Sequence, residues 1–105
     1  MAINSANIGN SNTTVYTSSG NNAVTCMWVC NIDNPPVSSA DLTLHFVKQG
    51  DPITTTNMVV NALPVPAGET VVFDAEKIIM DNGDRIVASA SAAGLLTFTI
   101  STIQV

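Results

Sequence analysis

Apolar residues recur at every second position in short runs along this chain, and the runs are cut by Gly, Pro, Asn and Asp. A period of two sends alternate side chains to opposite faces of a strand. No helical period persists over a useful length. Ala23–Ile32 is the strongest run of the first half. Val24, Cys26, Trp28, Cys30 and Ile32 share one face, which is assigned to the core, while Met27 and Val29 fall on the other. Apolar residues on both faces predict a central strand, or a strand with one face covered by a partner. Asp33-Asn34-Pro35-Pro36 ends it, because two prolines cannot sit in a ladder. Asp41–Gln49 alternates cleanly, with Leu42, Leu44 and Phe46 inward and Thr43, His45 and Val47 outward. Gly50-Asp51-Pro52 is a turn, and Ile53–Thr56 is irregular or edge-like. Asn57–Val65 reads as an edge strand, where Pro64 costs little.

The stretch Pro66–Gly94 organises the rest. Pro66-Ala67-Gly68 turns into a strand, Glu69–Asp74, with Val71 and Phe73 on one face. Asp74–Lys77 predicts one helical turn or a crossing between sheets, and Ile78-Ile79-Met80 is a compact apolar segment. Asn82-Gly83 predicts a hairpin turn with positive φ. Arg85–Ala90 follows, with Ile86, Ala88 and Ala90 opposite Val87; its small side chains suggest close approach of another sheet or subunit. Ala92-Ala93-Gly94 turns again into Leu95–Val105, where Leu96, Phe98 and Ile100 point inward. The alternation slips at Ser101-Thr102, which predicts a bulge or an exposed apolar tail. Before all this, Thr13–Thr17 is a short β-prone run and Ser18–Asn22 a turn. Residues 1–12 form a polar N-terminal arm anchored only by Ile3 and Ile8, ordered where a neighbour or the domain's own edge receives it. The expected architecture is all-β: a two-sheet antiparallel β-sandwich of about 7–8 strands over 13–105, wound as a jelly roll or an immunoglobulin-like fold.

Composition sharpens this picture. The 105 residues make one domain, and only 10% are charged, against a usual ~25%. Ser, Thr, Asn and small apolar residues must cover the surface instead, and such a surface suits burial against other subunits. The net charge is −5, with Lys48, Lys77 and Arg85 the only cations. Three scattered cations make no track for phosphates, so neither nucleic acid nor an anionic membrane surface is an expected partner. No apolar run approaches the ~18 residues of a span, and the N-terminus has no basic and apolar leader pattern. A soluble product made in the cytoplasm of its host is expected. Cys26 and Cys30 are four apart. That is about 13 Å along a strand, too far for a disulfide; with no matching ligands they read as buried thiols.

Candidate chemistry is sparse. His45 is the single histidine, stands at an outward position and lacks any nucleophile signature nearby. Asp81-Asn82-Gly83-Asp84 begins like a calcium loop, but Ala and Ser stand where the closing Glu is needed. Asp74 and Glu76 could be paired glycosidase carboxylates, but a local ion pair of Asp74 with Lys77 or Arg85, helping fix the crossing, is the expected reading. No catalytic, cofactor-binding or metal-binding residue is therefore assigned, and no cofactor is expected. The interface guess falls on the chain ends: Ile3, Ile8, Ile103 and Val105.

Val15-Tyr16-Thr17, Cys30-Asn31, the "VPAGET" turn Val65–Thr70, "EKIIMDNGD" at Glu76–Asp84 and the Ala/Ser strand Ala88–Gly94 follow one another over residues 13–105. This order resembles small β-sandwich virion structural proteins of tailed bacteriophages, of the capsid decoration and tail accessory type. The shared motifs are turns and strands, not catalytic signatures. The resemblance implies a non-enzymatic protein of the virion, an oligomer touching other virion proteins, with the major capsid protein foremost. Capsid decoration or cementing of the head is the first expectation. A tail, baseplate or fibre component is the alternative of the same class, and a carbohydrate-binding surface module that of another. The last needs exposed aromatics, and a buried Trp28 counts against it.

Overall fold

The computed structural model describes residues 2–34, 37–74 and 78–105. Nine strands account for most of it: β1 Ala2–Ile8, β2 Thr13–Thr17, β3 Asn22–Asn31, β4 Ala40–Val47, β5 Met58–Val65, β6 Thr70–Phe73, β7 Ile78–Met80, β8 Arg85–Ala90 and β9 Leu96–Gln104. They form two antiparallel sheets. Sheet A runs β1-β9-β3-β6, with β7 also on β3; sheet B runs β2-β8-β4-β5.

The pairing has a simple origin. β1 pairs with β9, β2 with β8, β3 with both β7 and β6, and β4 with β5, each centred close to Asp51. The chain is thus one long hairpin doubled at 48–57. Its successive strand pairs alternate between the two sheets, which is the winding of a jelly roll. Of the two windings left open by the sequence, the strand order decides for this one. The residues read as an arm add β1 to the free edge of β9, so the domain's own edge receives them.

The alternation of apolar residues is explained by the inner faces, with one correction. Leu96, Phe98 and Ile100 of β9, Leu42 and Leu44 of β4 and Ile86, Ala88 and Ala90 of β8 all enter the core as their spacing predicts. On β3 the parity is reversed after Val24: Met27 and Val29 are buried, while Cys26, Trp28 and Cys30 are half-buried on the outer face and Ile32 is exposed. The cause is a bulge. Val24 faces Thr102 and Cys26 faces Ser101, leaving Thr25 as the extra residue. Thr25 Oγ1 lies 3.0 Å from the Ser101 carbonyl oxygen and 2.9 Å from Ser101 Oγ, which pins the bulge. The slip visible at Ser101-Thr102 is therefore resolved on the neighbouring strand.

Two further expectations change. Asn82-Gly83 does form a tight turn, with Asp84 N donating to Asp81 O at 3.1 Å and Gly83 at φ 89°. It is no hairpin, because β7 belongs to sheet A and β8 to sheet B; the turn carries the chain between sheets. His45 is 5% exposed, not a surface residue. It does point away from the core, with Val47 and Val87, but the connection 48–57 folds over that side. His45 Nδ1 lies 2.8 Å from Asn57 Oδ1, and Arg85 Nη2 donates to Asp51 O at 2.9 Å. Ala75, Glu76 and Lys77, which carry most of the expected crossing and its ion pair, lie outside the described residues, as do Pro35 and Pro36.

Candidate interaction face

With 48–57 folded over sheet B, the broad open surface of the sandwich is the outer face of sheet A. Strand register defines its rows. Asn7, Thr97, Cys30 and Thr70 lie side by side, then Ser5, Thr99, Trp28 and Val72, then Ile3, Ser101 and Cys26. Beyond the bulge come Ile103, Ala23 and Ile79. None of these residues carries a charge, although the chain holds eleven charged side chains and has a net charge of −5. Glu69 and Asp74 flank β6 at its margin. Ile3 is 71% exposed and Ile79 70%, with Val72 and Ile103 close to half-exposed. An uncharged centre with acids at its margin shares one mark of interface cores, the depletion of charged side chains.

The four interface residues expected from the chain ends separate here. Ile3 and Ile103 lie on this face, diagonal to one another across β1 and β9. Val105 is exposed at the end of β9. Ile8 is 1% exposed and belongs to the core cluster, so it offers no surface. The residues that sequence reasoning placed elsewhere are Cys26, Trp28 and Cys30. Both parities of β3 are apolar, so alternation alone could not choose between them; the hydroxyl at Thr25 opposite that at Ser101 was the available signal.

The turn motifs do local structural work. Glu69 N donates to Pro66 O at 3.1 Å, and Gly68 supplies the positive φ of that turn. Asn82 Oδ1 accepts from Gly20 N at 2.8 Å. The Asp84 carboxylate accepts from Gln49 N through Oδ1 and from Asp81 N through Oδ2, at 3.1 and 3.0 Å. Both of its oxygens are thus engaged by main chain. Among the described residues no group of three His, Cys, Asp or Glu side chains converges. A cavity of about 220 Å³ opens between the sheets, lined by Met27, Leu44, Phe46, Val59, Val60 and Phe73. Its lining side chains have no polar group to orient a substrate.

The chain matches no protein-family model, and no curated protein is significantly similar to it.

Proposed function

We propose that this protein is a non-enzymatic structural component of a phage particle, and that it decorates or cements the capsid through the outer face of sheet A. The observation that carries the reading is the uncharged face itself. Among the described residues, a chain with a net charge of −5 places no carboxylate in the strands of this sheet, where it would otherwise have to be desolvated on contact. The jelly roll supports it at the level of architecture, since capsid domains are among the homes of that winding, and the motif order over 13–105 supports it by resemblance. Repetition on a symmetric particle makes a modest affinity per subunit sufficient. Antibody labelling of purified particles tests the role. Label on the heads is expected; label on tails or fibres moves the protein to the accessory class, and absence from particles refutes a structural role.

One observation favours a second reading. Trp28 stands on the outer face beside Val72 and Thr99 instead of in the core. A partly exposed Trp on a sheet surface is a platform for the apolar face of a sugar ring. Binding of the purified protein to a glycan array, abolished by Trp28→Ala, would establish a carbohydrate-binding module on the particle surface. Silence across the array removes it.

A further inference from the structure

The four lateral edges of the sandwich are not alike. β5 carries Pro64 and a bulge in which Ala62 adopts φ 52° and donates its N–H to Thr43 Oγ1. On the opposite sheet, β6 and β7 divide their edge into pieces of 4 and 3 residues. β2 has 5 residues and a register shift between Thr14 and Tyr16. Proline, bulges and short strands are the devices that keep edges from pairing. β1 has none of them: seven residues, Ala-Ile-Asn-Ser-Ala-Asn-Ile, in unbroken register with β9, without proline, glycine or charge.

The direction of its free main-chain groups follows from β9. Leu95 O accepts from Ile32 N at 2.8 Å, on the β3 side. Odd-numbered residues of β9 therefore direct their main-chain groups to β3, and even-numbered ones direct theirs to β1. The partners of the even residues are Ala2, Asn4, Ala6 and Ile8. Ile3, Ser5 and Asn7 are left with N–H and C=O pointing to the open edge, where no other strand pairs among the described residues.

We infer that β1 is a homodimerisation edge: two copies join their β1 strands antiparallel about a two-fold axis at Ser5, making one continuous sheet from two copies of sheet A. Ser5 then faces Ser5 of the second copy, and Ile3 faces Asn7 of the second copy. This register alone pairs all three outward residues of both chains, for about six main-chain hydrogen bonds, two per facing pair. Charge at the edge itself does not oppose a second copy as the occupant. Each molecule has a net charge of −5, yet two β1 edges bring no carboxylates together. A two-fold contact is also self-complementary, so one strand supplies both halves. The pairing gives the proposed virion subunit its self-contact and rests on that reading only for its place of action.

Sedimentation of the full chain over a range of concentrations tests it, with Ser5→Pro as the decisive variant. Proline at Ser5 removes an outward N–H and leaves the hydrogen bonds to β9 in place. A wild-type dimer is expected, with a dissociation constant raised by about tenfold or more in Ser5→Pro at unchanged β-sheet circular dichroism. Should that variant not fold, Ser5→Cys in a Cys26→Ser, Cys30→Ser background gives an independent readout. Facing Cα atoms in such a pair are about 5.5 Å apart, within disulfide range. Oxidation is expected to yield covalent dimers there and not from Thr55→Cys in the same background. A wild type that stays monomeric, a Ser5→Pro variant that dimerises equally well, or no cross-link through Ser5→Cys overturns the inference. A monomer that nevertheless enters particles overturns the edge pairing alone; a Ser5-dependent dimer absent from every particle overturns the virion reading alone.

Discussion

Asn31 shows how single polar side chains hold this sandwich together. It is buried at the end of β3, where its Nδ2 donates to Val65 O at 3.0 Å and Ser38 O at 2.9 Å and its Oδ1 accepts from Asp33 N at 3.0 Å. The side chain ties sheet A to the end of β5 in sheet B. Asn31→Ala would leave the buried Val65 carbonyl without that donor, at a cost of about 1–3 kcal/mol. Thermal unfolding is expected at a melting temperature lower by about 4–8 °C per kcal/mol lost. Gly83 makes a different case. A Cβ there would lie 2.5 Å from Gln49 Cδ, but Gln49 is exposed and free to swing away. The φ of 89° is what an L-residue cannot relieve. Gly83→Ala is expected to lower stability by about 1–2 kcal/mol in denaturant titration, and clearing the clash with Gln49→Ala should not restore it. The Gly83 turn was legible in the sequence as a dipeptide. The role of Asn31 was not, because its partners are carbonyls 7 and 34 positions away.

At the scale of elements, the strands themselves were readable because alternation and turn chemistry agreed in most of the chain. The inner faces of β8 and β9 and the Leu42–Leu44 face of β4 emerged directly. β3 did not, and the reason is physical. One extra residue at Thr25 exchanges the two faces of everything after it, and a strand apolar on both sides gives no warning. This makes an exacting comparison. Phe98 is fully buried in the core, whereas Trp28 lies half-buried on the outer face. Phe98→Ala is expected to cost about 3–5 kcal/mol and Trp28→Ala about 1 kcal/mol, measured by chemical denaturation. Equal losses would return Trp28 to the core and remove the bulge from the account. His45 is a second instance: its outward parity was legible, but its burial comes from the connection 48–57, which has no period to read.

For the molecule as a whole, the winding follows from one long hairpin, and its consequence is an asymmetry between the two sheets. Sheet B has its outer side partly covered by 48–57. Sheet A presents a surface about 30 Å long, from the nine residues of β9, without a charge among its described residues. The low charge content predicted sparsely charged surface but not where it lies, which requires the register of five strands at once. A carboxylate introduced at the centre of the face, as in Thr99→Asp, is expected to leave folding intact and abolish incorporation into particles, read by mass spectrometry of purified virions. The most direct measurement uses the native thiols. Cys26 and Cys30 both stand on this face, partly exposed, so their alkylation rates in free and particle-bound protein report whether the face is covered. Reaction in the free protein with strong protection in the particle is the expected result; equal rates in both would show that the face is open on the virion and contradict the account.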